Sequence, residues 1–281
     1  MTLTGLILAA VTSAGGLGLG GRVAVLELEG LIADDQQFLQ DLRELRRDPS
    51  VRAWVVAINS PGGVVAPSQS IYQELRRVRE EDDVPVVASI GSVGASGGYY
   101  VALAADSILA LPGSITGSIG VLMEYPNLAG LLERVGVRME VVKAGEQKDL
   151  GSPFRSMDEA DRAILTALVE DVHAQFIETV AEARGIPVEE VGRMADGRVL
   201  SGRQAREQRL VDRLGNRGEA IAVAGRMAGL GPDPRVVRPP EDEVPWLARA
   251  LFGTTTARAL RGLGSDIPRA GWWSGLKYVV D

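Results

Sequence analysis

The sequence predicts an α/β fold, in which short β-strands alternate with helices. Apolar runs rich in β-branched residues recur from residue 22 onwards, charged segments with helical periodicity separate them, and glycines follow the strand-like runs. The chain has 281 residues, 46% of them hydrophobic, which is enough to bury a full core in one large domain. In such folds the turns from strand to helix carry the active-site loops.

The elements follow one another closely along the chain. The predicted order is a strand at 23–30, a helix at 34–47, a strand at 54–59, a helix at 69–78 and a strand at 84–90. The second strand runs into Ser60-Pro61-Gly62-Gly63, and the third is followed by Gly94-Ala95-Ser96-Gly97-Gly98. These two strand ends are therefore the places where we expect a functional site.

The ends of the chain differ from its centre. Residues 1–21 carry no charge, and we interpret them as a membrane anchor or signal segment, with an apolar arm as the alternative. Residues 22–230 form the predicted α/β domain. Residues 231–281 begin with a Pro-rich acidic linker and continue as a tail with apolar clusters at 246–252 and at Trp272-Trp273. We expect these clusters to pack against another subunit; an anionic membrane surface and a groove of the preceding domain are the alternatives.

Composition excludes several classes of function. The net charge is −7, without a basic stripe, which argues against a nucleic-acid partner. The absence of cysteine excludes disulfides and thiolate metal sites, and the sequence has no other metal-ligand cluster, so neither a metal nor a cofactor is expected.

Ser96 and Lys148 are the candidates for chemistry. A serine hydroxyl becomes a good nucleophile only when a nearby base takes its proton. The only histidine, His173, lies in a segment with helical periodicity, and we interpret it as a surface or capped core residue. Lysine is rare in this chain, and arginine cannot act as a base, so Lys148 is the candidate general base; Lys143 and Lys277 are interpreted as surface charges.

Two glycine pairs could supply an oxyanion hole. Gly62-Gly63 and Gly97-Gly98 both follow apolar strands, and the second pair follows Ser96 directly. Acyl transfer needs backbone N–H donors aimed at the developing oxyanion, although turn and packing glycines are the alternative interpretation. Tyr99 and Tyr100 come next and are expected in the core.

Several motifs together resemble the signal peptide peptidase A family. They are Asn59-Ser60-Pro61-Gly62-Gly63, Gly94-Ala95-Ser96-Gly97-Gly98-Tyr99-Tyr100, Thr116-Gly117-Ser118-Ile119-Gly120, Gly145-Glu146-Gln147-Lys148-Asp149 and Asp196-Gly197-Arg198-Val199 with Ser201-Gly202-Arg203-Gln204-Ala205. The resemblance spans about residues 23–215 and is to the short, single-repeat form, since no second copy of the Ser96 motif is present.

The resemblance implies a serine peptidase of the ClpP/crotonase-like fold, built from repeated ββα units; we expect the C-terminal extension to be helical. It implies that Ser96 is the nucleophile, Lys148 the general base and Ser118 a hydrogen-bond partner of the lysine, with the backbone amides of Gly63 and Gly97 forming the oxyanion hole. Asp149 and Glu146, beside the lysine, are given no role.

The resemblance also implies partners and a location. Single-repeat relatives form dome-shaped rings in which neighbouring subunits share each active site, and they cleave short hydrophobic peptides such as remnant signal peptides. Membrane association with an extracytoplasmic catalytic domain follows if residues 1–21 are an anchor; a cytoplasmic location follows if they are not. The alternatives are a non-enzymatic membrane scaffold on the same fold and a crotonase-type acyl-CoA enzyme.

Overall fold

The computed structural model describes residues 20–240 and the backbone of 277–279. The strands are β1 (Arg22–Glu29), β2 (Val51–Ser60), β3 (Gly62–Val64), β4 (Val86–Ala95), β5 (Ser107–Ala110), β6 (Ile115–Gly117), β7 (Val199–Ser201), β8 (Arg213–Leu214), β9 (Arg235–Val237) and β10 (Lys277–Val279). The helices are α1 (Gln36–Arg46), α2 (Val65–Glu81), α3 (Gly97–Ala102), α4 (Ala129–Arg134), α5 (Glu159–Arg184), α6 (Val188–Met194), α7 (Gly202–Glu207) and α8 (Arg217–Met227).

A mostly parallel sheet organises these elements. Its strand order is β7-β6-β4-β2-β1-β9; β5 pairs with the first half of β4, and β8 pairs with β5. The pairing of β6 with β7 is antiparallel, whereas every other ladder in this sheet is parallel. The carboxyl ends of β2, β4 and β6 therefore lie side by side at one edge of the sheet, where the candidate motifs begin.

Helices cover both faces of the sheet. Along β1 the side chains of Ala24 and Leu26 join the larger core, whereas Val23 and Val25 join a smaller core on the opposite face. This division follows from the two-residue period of a strand. The larger core contains residues of α1, α2, α3 and α5, and the smaller one is closed by α8.

The longest helix, α5, is well defined at both ends. Asp158 and Asp161 form a reciprocal capping box at its start, and Gly185 ends it in the left-handed conformation at φ 60°. Phe176 points from its middle into the core, with its ring centroid 5.1 Å from that of Tyr100. The helix is thus fixed against α3, which follows Ser96.

The α/β prediction is confirmed, and each strand and helix predicted between residues 23 and 90 is present, although α2 starts earlier and β4 ends later than predicted. The expectation of a helical C-terminal extension is wrong at 277–279, which form a strand, because backbone pairing with β3 is available to them. Residues 241–276, with both apolar clusters, and nearly all of the segment 1–21 lie outside the described residues. Among the described helices, none is long and apolar enough to span a membrane.

Candidate active site

Ser96 occupies the turn between β4 and α3. Its backbone has φ 52° and ψ −118°, a conformation that L-residues rarely adopt. Ser96 is 1% exposed, and within residues 20–240 no group hydrogen-bonds its Oγ. A buried hydroxyl without a partner and a strained backbone at a strand-to-helix turn are both features of reactive residues.

The pairing of β4 with β6 brings Ser118 close to Ser96 in the fold. Ala95 pairs with Gly117, and the Ser96 N–H donates to the Gly117 carbonyl at 2.8 Å. Ser118 also has a positive φ, 51°, and its N–H donates to the Arg198 carbonyl at 2.9 Å. Two serines from different motifs therefore follow directly on paired residues at the same sheet edge.

Gly63 lies on β3, beside the carboxyl end of β2. Ile32 donates to the Gly62 carbonyl at 2.9 Å and accepts from the Val64 N–H at 2.7 Å, so the Gly63 N–H faces the opposite edge of β3. That edge is occupied by β10, in which Tyr278 is the antiparallel partner of Gly63. A Cβ at Gly63 would lie 2.1 Å from the Ile32 carbonyl oxygen, so only glycine fits there.

Gly97 and Gly98 begin α3, where the first N–H groups have no acceptor inside the helix. A Cβ at Gly98 would come within 2.7 Å of the Ser60 carbonyl oxygen, so the helix packs closely on the end of β2. The expectation that Tyr99 and Tyr100 belong to the core is confirmed, since both are buried. The Tyr99 hydroxyl donates to the Leu210 carbonyl at 2.7 Å, and burial raises its pKa.

Lys148 lies in a turn and is exposed, in contrast to these buried groups. The Lys148 N–H donates to the Gly145 carbonyl at 3.2 Å, and within the described part of the chain its side chain has no hydrogen bond or ion pair. Pairing of β4 with β6 brings Ser96 and Ser118 together, and contacts between α3 and β3 bring Gly97 and Gly63 to the same region. The single chain does not hydrogen-bond Lys148 to either serine.

Two features near the candidate residues were not predicted from the sequence. Asp149, given no role, accepts from Arg155 at 2.9 Å and from Lys143 at 2.6 Å, so neither Asp149 nor Lys143 is merely a solvated charge. His173 lies on α5, with a buried Nε2 that has no partner among the described residues, and it lines a cavity of about 270 Å³ together with Ser118. The Asp149 contacts are with residues six positions away in an irregular loop, and the His173 cavity joins distant segments, so residue spacing reveals neither feature.

Comparison with known proteins adds the family. The model of the family described as "Peptidase family S49" matches residues 79–231. The chain belongs to peptidase family S49. A protease of Synechocystis sp. is 40% identical over 241 residues, covering 85% of this chain and 86% of that protein. A protein from Enterococcus faecium named as signal peptide peptidase SppA is 31% identical over 272 residues, covering 92% and 74%.

These relatives place the chain in the signal peptide peptidase A family, as the motifs indicated. As a member of peptidase family S49, this protein is a serine peptidase. Among solved structures, a mutant of a membrane-bound stomatin-specific protease aligns with a TM-score of 0.52 and 14% identity, covering 78% of this chain and 97% of that chain. That likeness concerns the fold alone, and it agrees with the α/β architecture of a protease.

Proposed function

We propose that this peptidase is a serine endopeptidase in which Ser96 is the nucleophile and Lys148 the general base. The observation that carries the proposal is the strained, buried turn at Ser96, whose unpartnered Oγ lies at the start of α3 and beside the Ser118 strand end. Ser118 orients the lysine, and the amides of Gly63 and Gly97 form the oxyanion hole.

The reaction then follows from these positions. Neutral Lys148 takes the Ser96 proton, and the Ser96 oxygen attacks a peptide carbonyl whose oxyanion is held by the two glycine amides. The lysine returns the proton to the leaving amine, after which water hydrolyses the acyl-enzyme and releases the acyl product. Because lysine ordinarily has a pKa of about 10.4, the rate should rise with pH towards the alkaline side.

We propose that Lys148 acts on Ser96 of a neighbouring copy in a ring-shaped homo-oligomer. The supporting observation is the segment that precedes the lysine, which exposes an unusual number of large apolar side chains. Val135, Val141 and Val142 are 63%, 55% and 102% exposed in the single chain. An apolar surface of this kind beside the proposed base is typical of an interface between subunits.

The substrate is proposed to be a short hydrophobic peptide, such as a remnant signal peptide, bound in extended form along the edge of β3 that β10 occupies in the single chain, where it would displace β10. The support is β10, which pairs antiparallel with Gly62–Val64 and so demonstrates that this edge accepts an added strand. A peptide in that position would place its backbone beside the Gly63 amide.

We also propose a fold type for the sheet and a location for the protein. We assign the sheet to the ClpP/crotonase-like type, and we place the catalytic domain at a membrane on its extracytoplasmic side. A non-enzymatic scaffold and an acyl-CoA enzyme are less well supported, because neither would use an unpartnered serine in a strained turn.

The test is hydrolysis of a fluorogenic peptide with a small or hydrophobic P1 residue between pH 6 and 10. Wild type is compared with Ser96→Ala, Lys148→Ala and the basic control Arg226→Ala, an exposed residue on α8, which closes the opposite face of the sheet, and light scattering reports assembly. We expect activity that rises with pH in wild type and the control and is lost in the other two variants. Full activity in Lys148→Ala would refute the lysine as base, and full activity in Ser96→Ala would refute the nucleophile.

A further inference from the structure

An ion-pair network lies directly beside the proposed base. Arg155 donates from Nε to one oxygen of Asp149 at 2.9 Å and from Nη2 to the other at 3.3 Å. The same guanidinium donates to Asp161 at 3.0 Å from Nη2, and a second contact joins its Nη1 to that carboxylate. Arg155 thus bridges the residue after Lys148 to the first turn of α5.

This network has a rigid end. Asp161 is 2% exposed and is part of the capping box of α5, where it accepts from the Asp158 N–H at 3.3 Å. Lys143 closes the other end, donating to Asp149 at 2.6 Å and to the Glu146 carbonyl at 2.7 Å. Lys148 therefore lies in a short turn whose two flanks are tied together through Asp149 and then to the long helix.

The charges of the network balance. Lys143 and Arg155 each contribute one positive charge, and Asp149 and Asp161 each contribute one negative charge. The other titratable groups on the segments around the turn are Arg138 and Glu140 before it, Glu146 within it, Tyr125 against Gly151, and Asp158, Glu159 and Arg162 at the start of α5. A carboxylate next to Lys148 would favour the ammonium form of the lysine unless its charge were compensated.

We propose that Arg155 is a positioning residue for the Lys148 base: it holds the lysine turn against α5 and cancels the negative charge of Asp149 beside the lysine. The proposal rests on the proposed function, because it assumes that Lys148 is the base. Arg155 suits this role better than a lysine would, since its planar guanidinium binds two carboxylates at once and stays charged at every working pH.

Two substitutions should move the pH dependence in opposite directions. Arg155→Met leaves the Asp149 charge uncompensated, so the midpoint of the kcat/KM profile should rise. Asp149→Asn leaves two cations without that anion, so the midpoint should fall. For unit charges on the order of 8 Å apart near a protein surface, an effective dielectric constant of about 20 together with screening at physiological salt gives a shift of about half a pH unit for each variant. The double variant should return close to the wild-type midpoint, whereas a purely structural role would make it worse than either single variant.

Further variants separate charge from geometry. Arg155→Lys keeps the charge but loses the bridge, so its midpoint should stay near wild type while its kcat falls. Arg46→Met is the matched control, because Arg46 also binds a carboxylate, Asp82, through two nitrogens, but at the far end of α2 from Gly63. Arg46→Met should leave both the midpoint and kcat unchanged.

The measurement is kcat/KM between pH 6 and 10, with folding checked by circular dichroism and assembly by light scattering. Opposite shifts with recovery in the double variant support the proposal; no shifts, or shifts in the same direction, overturn it. If Arg155→Met does not fold, a lower midpoint in Asp149→Asn with an unchanged midpoint and lower kcat in Arg155→Lys supports the proposal, and an unchanged or higher midpoint in Asp149→Asn overturns it. Full activity in Lys148→Ala would refute the proposed function instead, which keeps the two failures distinct.

Discussion

Replacing Gly63 with alanine tests the proposed oxyanion hole most directly. The added Cβ would lie 2.1 Å from the carbonyl oxygen of Ile32 and 2.6 Å from its carbonyl carbon and nitrogen. These are backbone atoms, which cannot turn aside as a flexible side chain could. Since ordinary contact begins at 3.4 Å, β3 must move away from Ile32 by about 1.3 Å, and the Gly63 amide moves with it.

The expected loss follows from that displacement. Removing one oxyanion donor lowers kcat by about 10²–10³, and a misplacement of about 1 Å has an effect on the order of 10². We therefore expect Gly63→Ala to lower kcat on a fluorogenic peptide at least 100-fold, with destabilisation of about 1–3 kcal/mol from overpacking. Thermal unfolding confirms that the variant is folded at the assay temperature.

The matched control is Gly113→Ala, because an added Cβ there meets no atom within 4 Å and Gly113 has no positive φ. The control should keep wild-type kcat and stability. A folded Gly63→Ala variant with kcat within about threefold of wild type would refute the role of this amide, since a lost donor costs far more than that.

Three further outcomes are expected. Phe176→Ala should lower the free energy of unfolding by about 3–5 kcal/mol, because it leaves a cavity at a fully buried position. The exposed control Thr166→Ala on the same helix should change this free energy little, and chemical denaturation measures both. Hydrogen bonds from Arg155 and then Lys143 lower the pKa of Asp149 to about 2 from its ordinary 3.8. The ionised carboxylate therefore stabilises the fold above pH 4, and this stabilisation is lost as the pH falls through 2. The melting temperature of Asp149→Asn should fall less between pH 5 and pH 2 than that of wild type. Tyr278→Pro removes a backbone donor from β10 and disfavours its pairing with β3. KM for short peptides should therefore fall while kcat is unchanged. An unchanged KM would mean that β10 does not compete with substrate.

The sequence was sufficient for the elements that depend on local pattern. Apolar runs and turn glycines predicted β1, β2 and β4, because strand burial and turn conformation leave a direct mark on residue choice. The proximity of Ser96 to Ser118 could not be derived from spacing, since it depends on β6 pairing with the second half of β4. It was anticipated only through resemblance to a family.

The unpredicted features depend on backbone pairing and on charge. The C-terminal strand β10 binds β3 through main-chain groups, which any sequence possesses, so composition gave no indication of it. Arg155 and Asp149 look like surface charges in a chain with many such residues. Only the structure shows that Arg155 binds both Asp149 and Asp161 and so joins the lysine turn to the start of α5.

The conformation of Ser96 sets catalysis against stability. At φ 52° and ψ −118° a residue with a Cβ is held in a backbone state that glycine adopts without penalty. Ser96→Gly should therefore raise the melting temperature while it abolishes peptide hydrolysis. Random mutation selected for thermal tolerance alone would tend to erase this proposed nucleophile, and only selection for turnover would retain a serine in this turn.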